Sequence, residues 1–301
     1  MTTNRHDLAT TATPLLEVRN LVVRYGKRGP SAVDDVSFMV APGETVGLVG
    51  ESGSGKTTIG RAILGLVPVT DGQILYDGRD ITHIGATQRR ALQGDLRAVF
   101  QDPFSSLNPR QPIGAAIREP LRVAGVSRAE RARRVDEALA AVGLPGGSAD
   151  RYPRQFSGGQ RQRIAIARAL VTRPRLVVCD EAVSALDLST QAQVLNLLAH
   201  LRSERGLGYL FIAHDMAVVE FLAQHVVVLN RGRVVEQGLT ADVVRAPQEA
   251  YTRVLMAASP VPDPDEQARR REVWQRLRAE AKGAGAHASN PDQDTVSTAT
   301  R

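Results

Sequence analysis

The stretch that most constrains the fold is "TVGLVGESGSGKTTIGRAILGL", which begins at Thr45. An apolar, strand-like run leads into Gly50, Glu51, Ser52, Gly53, Ser54 and Gly55. Lys56, Thr57 and Thr58 then open a helix-like segment. This is the spacing of a phosphate-binding loop (P-loop) in its required context, strand before and helix after. In such a loop backbone N–H groups converge on phosphate oxygens, and glycines let the chain come close. Lys56 supplies a cation near the β- and γ-phosphates, and Thr57 a hydroxyl for magnesium. A glycine-rich surface turn needs neither flank, so the stretch predicts an α/β core that binds a nucleoside triphosphate.

A second stretch, "FSGGQRQRIAIARAL" from Phe156 to Leu170, repeats the arrangement in another form. Ser157, Gly158, Gly159 and Gln160 form a turn that runs into a basic helix with an apolar stripe. A helix N-terminus attracts anions, but this one brings no metal ligand and no base of its own. A single nucleotide therefore has two cradles.

Two short apolar runs end in chemistry. "RLVVCDE" closes on Asp180 and Glu181, and "YLFIAHD" on His214 and Asp215. Near-continuous Val/Ile/Leu runs fit buried parallel strands, whose carboxyl ends carry ligand sites in open sheets. Alternation along the first strand would point Asp180 and Glu181 in different directions, so that Asp180 holds magnesium while Glu181 polarises or deprotonates the attacking water. Gln101 closes "AVF" and carries an amide able to reach a metal and a water, or else it is structural. His214 either bonds the γ-phosphate region or pairs with Asp215. Tyr25 either stacks on adenine or is a partly buried strand tyrosine. Cys179, the one cysteine, lies inside an apolar strand and reads as core.

Around these motifs, residues 1–13 read as a disordered leader, and "LLEVRNLVVRYG", "AVDDVSFMVAPGE" and "DGQILYDGRDI" as short strands with tight turns. "LRAVFQDP" reads as a strand stopped by proline. An insertion of about 105–155 turns helical, with Ala132, Val135, Leu139 and Val142 on one face and Ser127 as N-cap. "HVVVLNRGRVVEQG" is again strand, turn and strand. Beyond Pro260 come a charged, arginine-rich helix around Trp274 and a polar tail, 266–301, with a thin apolar stripe of Val273, Leu277 and Ala281. The helix is either solvated or a contact for a partner ATPase or lipid headgroups. No apolar run reaches the roughly 18–20 residues that span a bilayer. The net charge of +6 does not point to nucleic acid, because only 4% of residues are aromatic and no basic stretch interleaves with them.

In order along the chain stand the P-loop, Gln101, "SGGQ", "VVCDE", "SALD" at Ser184–Asp187, and His214. With these motifs the sequence resembles the nucleotide-binding subunit of an ATP-binding cassette (ABC) transporter from about Leu15 to Asp265. "FQDPFSSLNPR", "EPLR" and "PVPDPD" make it more similar still to the oligopeptide and dipeptide importer subfamily. The resemblance implies a RecA-like P-loop NTPase core (α/β) with an antiparallel β subdomain and an inserted helical subdomain. The ATPase domain would run over 14–245 and a subfamily extension over 246–265. It also accounts for the second cradle. Two subunits, of the same or unlike chains, clamp two ATP molecules, and the "SGGQ" turn of one caps the γ-phosphate held by the P-loop of the other.

The cofactors implied are ATP and Mg2+, with Tyr25, Gly50 to Thr58 and Ser157 to Gln160 around the nucleotide, and Thr57, Gln101 and Asp180 at the metal. Glu181, His214 and Gln101 take the catalytic roles. The implied partners are a second ATPase subunit, two transmembrane permease subunits and, indirectly, an extracytoplasmic solute-binding protein, with the chain on the cytoplasmic face of the membrane. Importers of nickel or another small solute, and soluble ABC proteins acting on nucleic acid, remain alternatives at this point. Three departures from the family stand out: Ala182 replaces the usual proline after the glutamate, "QEAYT" replaces the subfamily's His-Pro-Tyr-Thr, and the cysteine-rich tail is absent, so no iron-sulfur cluster is expected.

Overall fold

The structure is a computed structural model that describes residues 13–26, 29–102 and 107–258. Its centre is a six-stranded sheet in the order β10-β9-β3-β8-β7-β6. The strands are β3 (Thr45–Val49), β6 (Leu96–Val99), β7 (Leu176–Asp180), β8 (Gly208–Ala213), β9 (His225–Asn230) and β10 (Arg233–Leu239). All neighbours are parallel except β10, which pairs antiparallel with β9 at one edge. β3, β7 and β8 are buried at every residue. Their alternation shows why they read as continuous apolar runs. Val46, Leu48, Leu176, Val178, Leu210 and Ile212 point into one core, whereas Val49, Val177, Cys179, Tyr209 and Phe211 point into another. A parallel sheet covered on both faces needs apolar side chains at every position.

The first core is closed by a four-stranded antiparallel sheet in the order β2-β1-β4-β5, built from β1 (Leu16–Arg24), β2 (Ser31–Val40), β4 (Asp71–Tyr76) and β5 (Arg79–Asp80). Asp77 and Gly78, both at positive φ, make the two-residue turn between β4 and β5, as the Asp-Gly pair predicts. Asp71-Gly72, by contrast, opens β4 rather than making a turn. Helix α1 (Lys56–Ile63) lies in this core through Ile59, Ala62 and Ile63. Another short helix, α2 (Ala86–Leu92), precedes β6.

The second core lies under helices. α3 (Ile113–Val123) and α4 (Arg128–Ala141) fall within the expected insertion, followed by single turns at 148–150 and 153–155. Ser127 caps α4 as predicted, its hydroxyl accepting the Glu130 N–H at 3.4 Å. The predicted stripe is corrected at one place. Val135, Leu139 and Val142 are buried, but Ala132 is exposed and Ala138 is buried instead. Around Ala132 the helix surface carries ion pairs of Glu130 with Arg133 and Arg134. Helices α5 (Gly158–Leu170), α6 (Leu188–Arg205) and α7 (Met216–Leu222) complete this layer, and α8 (Thr240–Arg245) and α9 (Ala250–Ala258) follow β10. The leader, the Trp274 helix and the tail lie outside the described residues.

Candidate functional site

Every residue of β3 is buried, and the chain leaves it at Gly50 through a loop that only glycine permits. Gly50 has a φ of 151°, and a Cβ there would sit 2.2 Å from the Leu229 carbonyl oxygen. Gly55 has a φ of 105°, and its Cβ would lie 2.5 Å from the Ala32 carbonyl oxygen. The loop is braced from outside by the β9–β10 turn, where the Gly232 N–H donates to the Ser54 carbonyl at 2.9 Å. Gly55 is also the N-cap of α1, and no side chain caps that helix. Its first-turn amides thus remain available to an anion.

Lys56 is only 4% exposed. Its ammonium donates to the carbonyl oxygens of Gly50 and Glu51 at 2.7 and 2.8 Å and to Ser54 Oγ at 3.3 Å. Burial pushes its pKa down, while Glu181, Asp180 and Glu51 oppose the shift. The sequence names this lysine; only the fold shows that it folds back onto its own loop. Ser52 and Gly53 are exposed at the loop tip, and Gly53 has a φ of 80°. Thr58 lies in the first turn of α1, with its Oγ1 at 3.2 Å from the Tyr25 hydroxyl. Tyr25 lies just past β1 and is 54% exposed, so it is not the partly buried strand tyrosine that was one of its two readings.

Across from the loop, β7 ends on Asp180, which is 9% exposed. The Thr57 hydroxyl donates to Asp180 Oδ1 at 3.0 Å. Burial raises the pKa of Asp180, with the Thr57 hydrogen bond opposing it. A carboxylate incompletely compensated by its surroundings, with a hydroxyl oxygen at its side, fits a divalent cation that nucleotide oxygens also hold. Among the described residues no group of three or more His, Cys, Asp or Glu side chains could hold a metal ion; of the residues expected at the metal, Thr57 and Asp180 are the two that a hydrogen bond joins.

Glu181 corrects the expectation that strand alternation separates the two carboxylates. The strand stops at Asp180, and Glu181 turns the chain into the left-handed region with a φ of 50°. This conformation is costly for a residue with a Cβ and is held by its surroundings. The Glu181 N–H donates to the Ile212 carbonyl at 3.0 Å, and its own carbonyl accepts the Ser184 N–H and hydroxyl at 3.2 and 3.0 Å. Ala182, where the family has proline, is 2% exposed in the core. These bonds fix the Glu181 backbone without proline.

Glu181 and His214 line one cavity of about 60 Å³ with Ser184, Gln191 and Asp215. The alternative of a His214–Asp215 pair does not hold. The Asp215 carboxylate caps α7 by accepting the Ala217 N–H at 2.9 Å, and His214 is exposed. Gln101 is exposed two residues beyond the end of β6. The Cys179 thiol is fully buried, and burial pushes its pKa up to about 12, which agrees with a core role.

The "SGGQ" turn is a capping box, a signal present in the Ser-x-x-Gln spacing but not used in the sequence reading. Ser157 Oγ accepts the Gln160 N–H at 3.3 Å, and Gln160 Oε1 accepts the Ser157 N–H at 3.0 Å. The Gln160 amide thus holds the turn, while the Ser157 hydroxyl proton stays free to donate. Gly158 faces open space, and Gly159 packs on Thr190 in the first turn of α6, beside the "SALD" segment. Asp187 of that segment caps α6, accepting from the Ser189 hydroxyl and the Thr190 N–H at 2.7 and 3.0 Å. Among the described residues no hydrogen bond joins Ser157–Gln160 to Gly50–Thr58, so the two cradles of one chain are not linked to each other.

Comparison with known proteins agrees with this geometry. The family described as "ABC transporter" matches residues 33–184. A protein of Brucella ovis provisionally named a peptide import ATP-binding protein is 51% identical over 258 residues, 85% of this chain and 81% of that one. The glutathione import ATP-binding protein GsiA of Salmonella paratyphi A is 48% identical over 268 residues, 86% of this chain and 43% of that longer protein. Among solved structures, cbiO1 from Clostridium perfringens, part of the ABC transporter complex cbiONQ, superposes with a TM-score of 0.72 at 27% identity, covering 77% of this chain and 91% of that one. The dimeric ATP-binding cassette MJ0796, in a post-hydrolysis state bound to ADP and Pi, gives 0.67 at 28% identity over 75% of this chain and 98% of that one. Loop, strand-end carboxylates and relatives agree: the chain belongs to the ABC transporter family and is one of its ATP-hydrolysing cassettes.

Proposed function

We propose that this cassette energises the import of di- or oligopeptides. It would do so as one of two ATPase subunits on the cytoplasmic face of a membrane, bound to two permease subunits and served indirectly by an extracytoplasmic solute-binding protein. The observation that carries the reading is the 51% identity, over 85% of this chain, with a protein named for peptide import. Among the described residues no helix is long and apolar enough to cross a membrane, which is consistent with permeases supplied by other chains.

The chemistry follows from the side chains in place. The P-loop amides and Lys56 bind and neutralise the phosphates, and Tyr25 offers an exposed ring at the loop's edge for the base. Thr57 and Asp180 would hold Mg2+, which supplies charge neutralisation at the β- and γ-phosphates. Glu181 takes the proton of a water that attacks the γ-phosphorus; the bond to the β–γ bridging oxygen breaks, and ADP and phosphate result. His214, on the same small cavity, donates toward the γ-phosphate oxygens, and Gln101 lies at the end of β6 where it can report the nucleotide state to the helical insertion. The Ser157 hydroxyl and the α5 N-terminus then cap the partner subunit's γ-phosphate, so ATP holds the dimer and hydrolysis releases it.

The test is uptake of a labelled dipeptide by vesicles carrying the cognate permeases, with ATP supplied on the cytoplasmic side. Wild-type chain should drive uptake and Glu181→Gln should bind ATP without driving it. Peptide-independent ATPase activity and no uptake with the wild type would refute the import reading while leaving the ATPase intact.

A further inference from the structure

One contact joins the C-terminal segment to the nucleotide site across the whole chain. The Glu51 N–H donates to the Tyr251 hydroxyl at 3.0 Å. That N–H belongs to the same peptide unit as the Gly50 carbonyl, which accepts the Lys56 ammonium at 2.7 Å. A peptide is planar and trans, so its N–H and C=O point in opposite directions, and fixing one end fixes the other. Gly50 has no side chain to hold this plane by local sterics. The hydrogen bonds therefore form a chain: Lys56 ammonium to Gly50 carbonyl, Glu51 amide to Tyr251 oxygen. The ammonium polarises the peptide and strengthens the amide as a donor.

Tyr251 is well placed to act as a fixed acceptor. It sits on α9, whose Thr252 and Leu255 are 0% and 7% exposed. Its ring packs against the helical-side core. Just ahead of α9 the Glu236 carboxylate of β10 accepts the Gln248 and Glu249 N–H groups at 2.8 and 3.2 Å. The segment is thereby moored to the same sheet edge that braces the P-loop from the other side.

We propose that Tyr251 is a positioning residue for the P-loop: its hydroxyl sets the Gly50–Glu51 peptide plane from which Lys56 is held, and so ties nucleotide affinity to the docking of residues 246–258. The proposal rests on the assignment of the loop to ATP, and the experiment separates the two.

The experiment compares wild type, Tyr251→Phe and Glu236→Ala by calorimetric titration with a non-hydrolysable ATP analogue. It adds KM and kcat for ATP hydrolysis, melting curves, and hydrogen exchange of the peptide covering residues 46–55. Loss of one hydrogen bond of this kind should weaken analogue binding about fivefold. KM should rise to match while kcat stays within about twofold, with one further fast-exchanging amide in residues 46–55 and a melting temperature near that of the wild type. Glu236→Ala, which frees α9 without touching the loop, should shift affinity in the same direction and covers the case in which Tyr251→Phe folds poorly. Unchanged affinity and exchange in both variants, beside a wild type that binds the analogue, would overturn the positioning role alone. A wild type that binds no analogue would overturn the ATP assignment and the proposal with it.

Discussion

Alanine at the two glycines of the "SGGQ" turn separates what holds the turn together from what it does for a partner. A Cβ on Gly159 would lie 2.2 Å from Thr190 Cγ2, against an ordinary contact of 3.4–4 Å. The Thr190 backbone is held by its N–H bond to Asp187, so relief requires a change of the Thr190 rotamer or a shift of α5 against α6. Overpacking of this degree costs about 1–3 kcal/mol. In a chain of this size each kcal/mol moves Tm by about 2–4 °C, so Gly159→Ala should melt roughly 2–12 °C below wild type without nucleotide. Thr190→Ser removes the offending methyl and should return at least half of that loss. Gly158 has nothing within 4 Å of its Cβ position. Gly158→Ala should therefore melt within about 0.5 kcal/mol of wild type. Under the proposed two-cradle arrangement it should nonetheless lose ATP-dependent association, because its new methyl would stand where the partner's nucleotide arrives. Thermal melting followed by fluorescence reads all three variants, and sedimentation reads the association of Gly158→Ala. A Gly159→Ala protein that melts with the wild type, or that Thr190→Ser does not rescue, would refute the packing argument.

Further expectations follow from individual side chains. Lys56→Ala removes the only ammonium in the loop and leaves the Gly50 and Glu51 carbonyls without it, so ATP hydrolysis should fall at least about a hundredfold in a coupled assay. His214 is exposed and makes no hydrogen bond to another described residue. Its alanine variant should keep wild-type melting and lose at least about tenfold in kcat, and retained activity would make it a bystander. Asp187 is held at a pKa of about 2, chiefly by the Ser189 hydroxyl and then by Thr190. A depressed carboxylate stabilises the fold above the unfolded pKa of about 3.9, and that contribution is lost as pH falls from there toward the folded value. The melting difference between wild type and Asp187→Asn should thus be full at pH 6 and shrink as pH drops below about 4; a difference that stays constant with pH would exclude the charged cap.

What the sequence made legible tracks how local its cause is. β3, β7 and β8 could be read because a strand buried on both faces must be apolar throughout, and the P-loop because its glycines answer to local backbone geometry. The cores on either side of the sheet follow from alternation that the run itself conceals. The left-handed backbone at Glu181 could not be read, since the hydrogen bonds that hold it come from β8 and from Ser184 rather than from any glycine signal. The α4 stripe failed at Ala132, which is exposed beside surface ion pairs of Glu130 while Ala138 is buried, because spacing alone does not say where along a helix the core ends. The bond from Glu51 to Tyr251 lay beyond sequence reading altogether, as it depends on how α9 docks 200 residues away.

The most direct test of the two-cradle account is sedimentation velocity of Glu181→Gln with magnesium and ATP, alone and with any cassette that co-purifies with the chain, repeated with Ser157→Arg added. The account predicts a dimer that forms only with ATP and is lost when Ser157 becomes arginine. A chain that binds ATP yet stays monomeric in every mixture, or a dimer indifferent to Ser157→Arg, would contradict it.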